Sequence, residues 1–412
     1  MARRWITQPL APVQKIEVSG EHMKLRFAAM LLLFALGFGA LGYWMHGLLT
    51  KQPGWIRIEA DKTVPVEAGA DLDFEYCLGE NATAENKQLT VLYTEAVLRC
   101  YQVYHPTQRF DGVENLCAVN EAPNRALTVE PELYAALARL QAKGDRSVFL
   151  APVYAQYDAV FRSLEDGEAA LYDPMRNPEA AAYVRELMGF IRDPEAVSLS
   201  LLGDSQVRLN VREDYLRFAE AYEIDAFLDL NWMKNAFVLD DLAERLREKG
   251  FLRGYLVSAE GFCRYLDPTE TSYILELLDN SGTAIRNPAV LELRGPVSVI
   301  CLHGYGAAGG TGDWFYHYGD GSVRTPYLDL DTGESLCAIR DLTLLSVDKG
   351  CAELVLAARP AMAAETWDPA GLIALADEGI GALWCEAGTV CHTPIPARLT
   401  IRDEAYRERT LP

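Results

Sequence analysis

The stretch 297–321, VSVICLHGYGAAGGTGDWFYHYGDG, contains Gly304-Tyr-Gly306-Ala-Ala-Gly309. This glycine spacing cradles a pyrophosphate when the third glycine opens a helix. The next residues are Asp313-Trp-Phe-Tyr-His-Tyr318, aromatic and strand-like, and then the turn Gly319-Asp-Gly321. No helix opens there, so a Rossmann-type dinucleotide cradle fails on context. Downstream, Asp329-Leu-Asp-Thr-Gly333 reads as an Asp-rich turn closed on its own hydrogen bonds. His317 is the imidazole nearest in sequence. Nine cysteines are scattered and none forms Cys-x-x-Cys, so a zinc ribbon or thioredoxin-type centre has no support. Cys385 and Cys391 could bridge, while most of the others read as small buried apolar residues.

The composition narrows the partners. Against 38 basic side chains stand 59 acidic ones, a formal net charge of -21. Phosphate backbones are held by clustered Lys and Arg, so this balance argues against a large nucleic-acid surface. Residues 25–49, LRFAAMLLLFALGFGALGYWMHGLL, are apolar over the ~20 residues that one bilayer crossing needs. Arg3, Arg4, Lys15, Lys24 and Arg26 flank the run on its N-terminal side. The positive-inside rule then keeps that flank in the cytoplasm and puts the chain after Lys51 outside. The run reads as an uncleaved single-pass anchor in the cell membrane, with a cleaved signal peptide as the alternative. The expected plan is a cytoplasmic tail 1–24, an anchor 25–49, a linker 50–70 and an extracytoplasmic domain 71–412.

The elements that must position these residues are read from periodicity. Apolar spacing predicts helices over 84–104, 131–144, 178–193 and 240–250. Two strands are expected around Gly203-Asp204, and further strands over 253–262, 273–280, 297–304, 314–328 and 340–347. A helix over 348–359 should stop at Pro360. Strands in succession with helices between groups make an α+β fold, with mixed, largely antiparallel sheets and packed helices, preceded by one transmembrane helix.

Three segments in fixed order carry a family likeness: FLDLNWMKNAFVLDDLAERLREKGFLRGYLVSAEGF, GGTGDWFYHYGDGSVRTPYLDLDTGES and DLTLLSVDKGCAELVLAA. They resemble the FAD:protein FMN transferase family, also called ApbE-like. Its patterns are Asp-Leu-Gly-Gly-Ile-Ala-Lys-Gly, a Gly-Gly-Asp strand end, Thr-Ser-Gly-Asp-Tyr, His-x-Ile-x-Asp-Pro-x-Thr-Gly and Ala-Asp-x-x-x-Thr. With weaker matches toward the N-terminus the resemblance covers roughly residues 75 to 400. It implies that FAD is split and FMN passed to a Ser or Thr of an exported flavoprotein, with Mg²⁺ neutralising the pyrophosphate. By the same resemblance, Asp229, Lys234, Gly261, Thr311, Gly312, Asp313, Asp329, Thr332 and Gly333 are the cofactor-binding positions. Glu353 and the backbone carbonyl of Met233 are the metal positions, and Asp240 falls on a helix-lining position.

The departures are chemical. Ala357 stands at the metal-binding Thr, Pro326 at the His, and Leu150 at the Asp of Phe-Asp-Pro-Thr. Asn231 and Trp232 fill the Gly-Gly pair, Glu260 and Phe262 replace Gly and Asp of Gly-Gly-Asp, and Asn235 takes the register of the Lys. His317 is the candidate to replace the lost imidazole. Two readings stand. One is a membrane-anchored FMN transferase with an altered metal and base arrangement. The other is a catalytically inactive homologue acting as a flavin-binding or protein-binding module, and erosion at several independent positions favours it.

Overall fold

The computed structural model describes residues 22–49, 51–69, 71–269, 271–280, 284–305 and 314–412, apart from the side chains of 43–49. The chain divides into two compact units, Met1–Gln52 and Pro53–Pro412. In the first unit the apolar run forms a single helix, Met23–Leu49. Its part Met23–Gly42, 20 residues, is long and apolar enough to cross a membrane, and none of that stretch is buried against protein. Twenty residues at ~1.5 Å each rise ~30 Å, the depth of one hydrocarbon core. Most of the expected cytoplasmic tail, up to residue 21, lies outside the described residues.

The second unit is built on a nine-stranded sheet whose spatial order follows the chain. Its strands are Gly54–Ile58, Leu72–Leu78, Gly254–Ser258, Phe262–Tyr265, Val297–His303, Asp341–Ser346, Gly381–Glu386, Thr389–His392 and Arg407–Thr410. Neighbours run antiparallel except the last pair, which is parallel. Both faces are covered, which explains the nearly unbroken apolar sequence of Val297–His303. Ile300 and Leu302 enter the larger core, which includes the helices Ala82–Tyr104, Lys234–Glu248 and Cys351–Met362. Val297 and Val299 face the opposite way, into a second core under the sheet formed by Ser272–Asn280, Ile285–Arg294 and Arg398–Ile401. Side chains alternate between faces with a period of two, so one strand serves both cores. The fold is thus α+β with largely antiparallel sheets.

The helices expected from spacing form at Ala82–Tyr104, Pro131–Ala142 and Pro178–Ile191. The last begins where its sequence says it should: the Asn177 side chain accepts the Glu179 N–H at 3.0 Å, and Pro178 fills the first turn. Four expectations need correction. The segment 253–262 is not one strand but part of a hairpin that turns at Glu260-Gly261. Gly261 has φ +93°, and a Cβ there would collide with the Cys301 carbonyl oxygen. The helix Cys351–Met362 runs through Pro360, and the Ala363 N–H beyond it still bonds the Arg359 carbonyl at 2.9 Å. Arg359, bonded to Asp145 at 2.6 Å, fixes that turn from outside. The stretch 50–70 is not wholly linker, since Gly54–Ile58 pairs along Leu72–Leu78 at the sheet edge. Finally, Cys385 lies opposite Val390 and Cys391 opposite Trp384, so the two thiols point to opposite faces and do not bridge.

Candidate functional site

The site is assembled where the helix Lys234–Glu248 meets the helix Ala151–Phe161 and the segment around Pro326. Before the first helix, Asn231 takes a left-handed conformation, φ 51°. Asn is one of the few non-glycine residues that enters this region readily, and it stands where the resemblance has its first glycine. Its backbone N–H reaches Asp229 Oδ1 at 3.2 Å, and its side-chain amide donates to the Asp229 carbonyl at 3.0 Å. The turn is therefore kept without a glycine.

Next comes Trp232, only 2% exposed. Its indole N–H donates to the Tyr154 hydroxyl at 3.1 Å, and that hydroxyl donates to the Pro326 carbonyl at 2.7 Å. The indole meets Tyr327 edge-on at 5.1 Å between ring centroids and lies 6.3 Å from Phe262. Leu150, fully buried, precedes the helix that carries Tyr154. Three of the departures from the family pattern, Trp232, Phe262 and Pro326, thus meet in one buried arrangement, and Leu150 belongs to the same core. Inserting an indole into a finished core would overpack it. Here Phe262 and Tyr327 pack against it, and the buried N–H and O–H are both paired, as buried polar groups require.

Among the described residues expected to bind a cofactor, Gly261, Asp329, Thr332 and Gly333 form turns. Asp329 Oδ1 accepts the Asp331 N–H at 3.0 Å, the Thr332 N–H at 2.8 Å and the Thr332 hydroxyl at 2.9 Å. Gly333, with φ +73°, completes this closed turn against Val184 and Met188. These bonds close an Asp-rich turn. Asp240 is buried and accepts the N–H groups of Cys351 and Ala352 at 2.9 and 3.1 Å, capping the helix Cys351–Met362. Burial pushes its carboxyl up, opposed chiefly by the Arg264 charge. Gly350 is a glycine because a Cβ would strike that carboxylate. Gly261 is explained by its turn. Glu260, raised by burial, takes both amide bonds of Asn235, at 2.9 and 3.1 Å.

The metal positions fare no better. Glu353 faces Lys349 at 3.7 Å one turn away, and Ala357 supplies no oxygen. Met233 is buried in the short turn Asn231–Met233 ahead of the long helix. Among the described residues no group of three or more His, Cys, Asp or Glu side chains could hold a metal ion. The donor set therefore does not fit a Mg²⁺ site of the family kind. His317 is exposed on a two-residue strand opposite Val323. Thr311, Gly312 and Asp313 lie outside the described residues.

Asp229 and Lys234 remain. Asp229 lines a cleft of about 470 Å³ together with Asn231, Trp314, Tyr154, Tyr183 and Tyr222. Burial raises the carboxyl of Asp229, while the Asn231 N–H and the Lys234 charge oppose that rise. Lys234 is half-buried at the start of its helix, and its charge adds to the burial that lowers the pKa of His105. The aromatic walls were not foreseen: Tyr154, Tyr183 and Tyr222 belong to no motif, and only the fold brings them together.

No protein-family model and no curated protein matches the sequence. Solved structures do match in three dimensions. The ApbE protein of Thermotoga maritima is 13% identical, with 81% of this chain and 94% of that chain covered and a TM-score of 0.55. The flavin transferase ApbE from Vibrio cholerae is 11% identical, with 85% and 97% covered and a TM-score of 0.54. At such identity the likeness is one of fold, and it spans nearly the whole of each neighbour. Sheet order, inserted helices and these matches agree: the chain has the fold of the ApbE flavin transferases.

Proposed function

We propose that this chain is a membrane-tethered protein on the ApbE fold that does not transfer FMN and serves as a binding module. The observation that carries the reading is the buried relay from Trp232 through Tyr154 to the Pro326 carbonyl. It links the positions where the family pattern has glycine and histidine, and Leu150 and Phe262 supply hydrocarbon where the pattern has aspartates. Phosphoryl-group chemistry needs a cation on the pyrophosphate and aimed polar groups on the transferring phosphorus. Here the corresponding side chains are apolar, absent, or engaged in caps and turns. The apolar helix Met23–Leu49 is the tether, and the basic N-terminal flank favours a folded unit outside the cytoplasm.

Titrating the full-length protein with FAD, with and without Mg²⁺, tests this. FAD should bind weakly, with an affinity that Mg²⁺ does not improve. Tight binding that depends strongly on Mg²⁺ would restore the reading of an active FAD:protein FMN transferase with a relocated metal site.

A further inference from the structure

The cleft that survives beside the buried relay has walls and charges of its own. One wall is Tyr183 and Tyr222, their ring centroids 5.0 Å apart, and the other is Tyr154 and Trp314, with centroids 6.3 Å apart and planes nearly perpendicular. Its volume, about 470 Å³, falls in the range of small-molecule sites.

The charges in this cleft are one-sided. Asp158, Glu223, Asp225 and Asp229 line it against a single cation, Arg162. Arg162 is paired with Asp158 at 2.9 Å, one helical turn away. Glu223 and Asp225 are exposed at the rim and make no ion pair among the described residues. Asp229 is held through Oδ1 by the Asn231 N–H, and no cationic side chain lies within ion-pairing distance of it among the described residues. Asp229 is thus a partly buried carboxylate in an aromatic-lined cleft, with the Lys234 charge acting on it from beyond ion-pairing distance. A buried charge is tolerated when it is paired.

Resting on the reading of a non-catalytic binding module, we propose that the cleft binds a small planar organic cation. Its N–H donors would reach Asp229, and its charge would lie against the rings of Tyr183 and Tyr222. Aromatic faces attract cations through the ring quadrupole, and planar nitrogen cations give carboxylates two parallel hydrogen bonds. The same carboxylates repel a pyrophosphate, so the cleft selects against intact dinucleotides.

Benzamidine, a planar aromatic amidinium, is the probe, with benzoate and benzyl alcohol as anionic and neutral controls. Calorimetric titration of the full-length protein in detergent should show saturable one-site binding of benzamidine alone, tightening as salt is lowered. Asp229→Asn should weaken it at least about tenfold, the worth of a charge-assisted hydrogen bond. If that variant does not fold, the rim double variant Glu223→Gln/Asp225→Asn should weaken binding severalfold and flatten its salt dependence. No benzamidine binding, equal binding of benzoate, or unchanged affinity in folded Asp229→Asn would each overturn the proposal. FMN transfer by the same preparation would instead sink the underlying reading and leave the titration result standing.

Discussion

Replacing Tyr154 by Phe removes one oxygen from the middle of the buried relay and changes little else. The Trp232 indole N–H then loses its acceptor, now 3.1 Å away, and the Pro326 carbonyl loses the donor at 2.7 Å. That carbonyl keeps the Leu328 N–H at 3.1 Å, so only the indole N–H is stranded and the change should destabilise the protein by ~1–3 kcal/mol. Trp232→Phe acts differently. It keeps the Tyr154-to-Pro326 bond, removes the indole donor and leaves a small cavity, for about 1–3 kcal/mol. In the double variant the stranded N–H no longer exists, so the two costs should fall short of additivity by ~1–2 kcal/mol. Urea unfolding of the full-length protein, followed by circular dichroism, reads all three. A Tyr154→Phe cost below about 0.5 kcal/mol, the level of an ordinary surface change, would refute the relay.

The same geometry fixes further outcomes. Gly261→Ala should prevent folded protein from accumulating, since it adds an unfavourable positive φ to a clash with the Cys301 carbonyl; recovery of soluble protein checks it. Burial raises the Asp241 carboxyl from 3.8 to about 6, while the Tyr104 hydroxyl bonded to it at 2.5 Å opposes that rise. The folded state then holds this proton more tightly than the unfolded chain, so the group costs stability as pH rises from 3.8 through about 6. Asp241→Asn should accordingly stabilise the protein by about 1–3 kcal/mol at pH 7 and by little at pH 4, as read by denaturation at both values. Glu353→Gln breaks only a half-exposed pair with Lys349, so unfolding midpoints should barely move and calorimetry should show no change in Mg²⁺ binding.

The α+β architecture was legible because the chain repeats its patterns over long stretches. The spacing in 84–104 and 178–193 marks one helical face, and Pro178 after Asn177 marks a start. The hairpin at Glu260-Gly261 was hidden because apolar residues continue on both sides of the turn, and only the approach of the Cys301 carbonyl demands the break. Motif matching found the erosion at Leu150, Trp232, Phe262 and Pro326 one position at a time. It could not find that Trp232, Phe262 and Pro326 meet, since they are brought together only by tertiary packing, with Tyr154 as the joint. The cleft was illegible for the same reason: its tyrosines lie on separate helices and loops with no shared spacing. Asp329 and Asp240 show the converse: a family position was found, but Oδ1 of Asp329 serves a turn and both oxygens of Asp240 cap a helix.

Whether FMN moves is the deciding question. An exported Ser- or Thr-containing acceptor of the kind ApbE enzymes modify is incubated with the full-length protein, FAD and Mg²⁺, and its intact mass is then measured. Loss of one aimed polar group commonly costs ~10²- to 10³-fold in rate, and several are missing here. The predicted result is an acceptor of unchanged mass and no AMP released above the enzyme-free control. A mass increase of one FMN on most of the acceptor, with matching AMP, would contradict the reading of a non-transferring binding module.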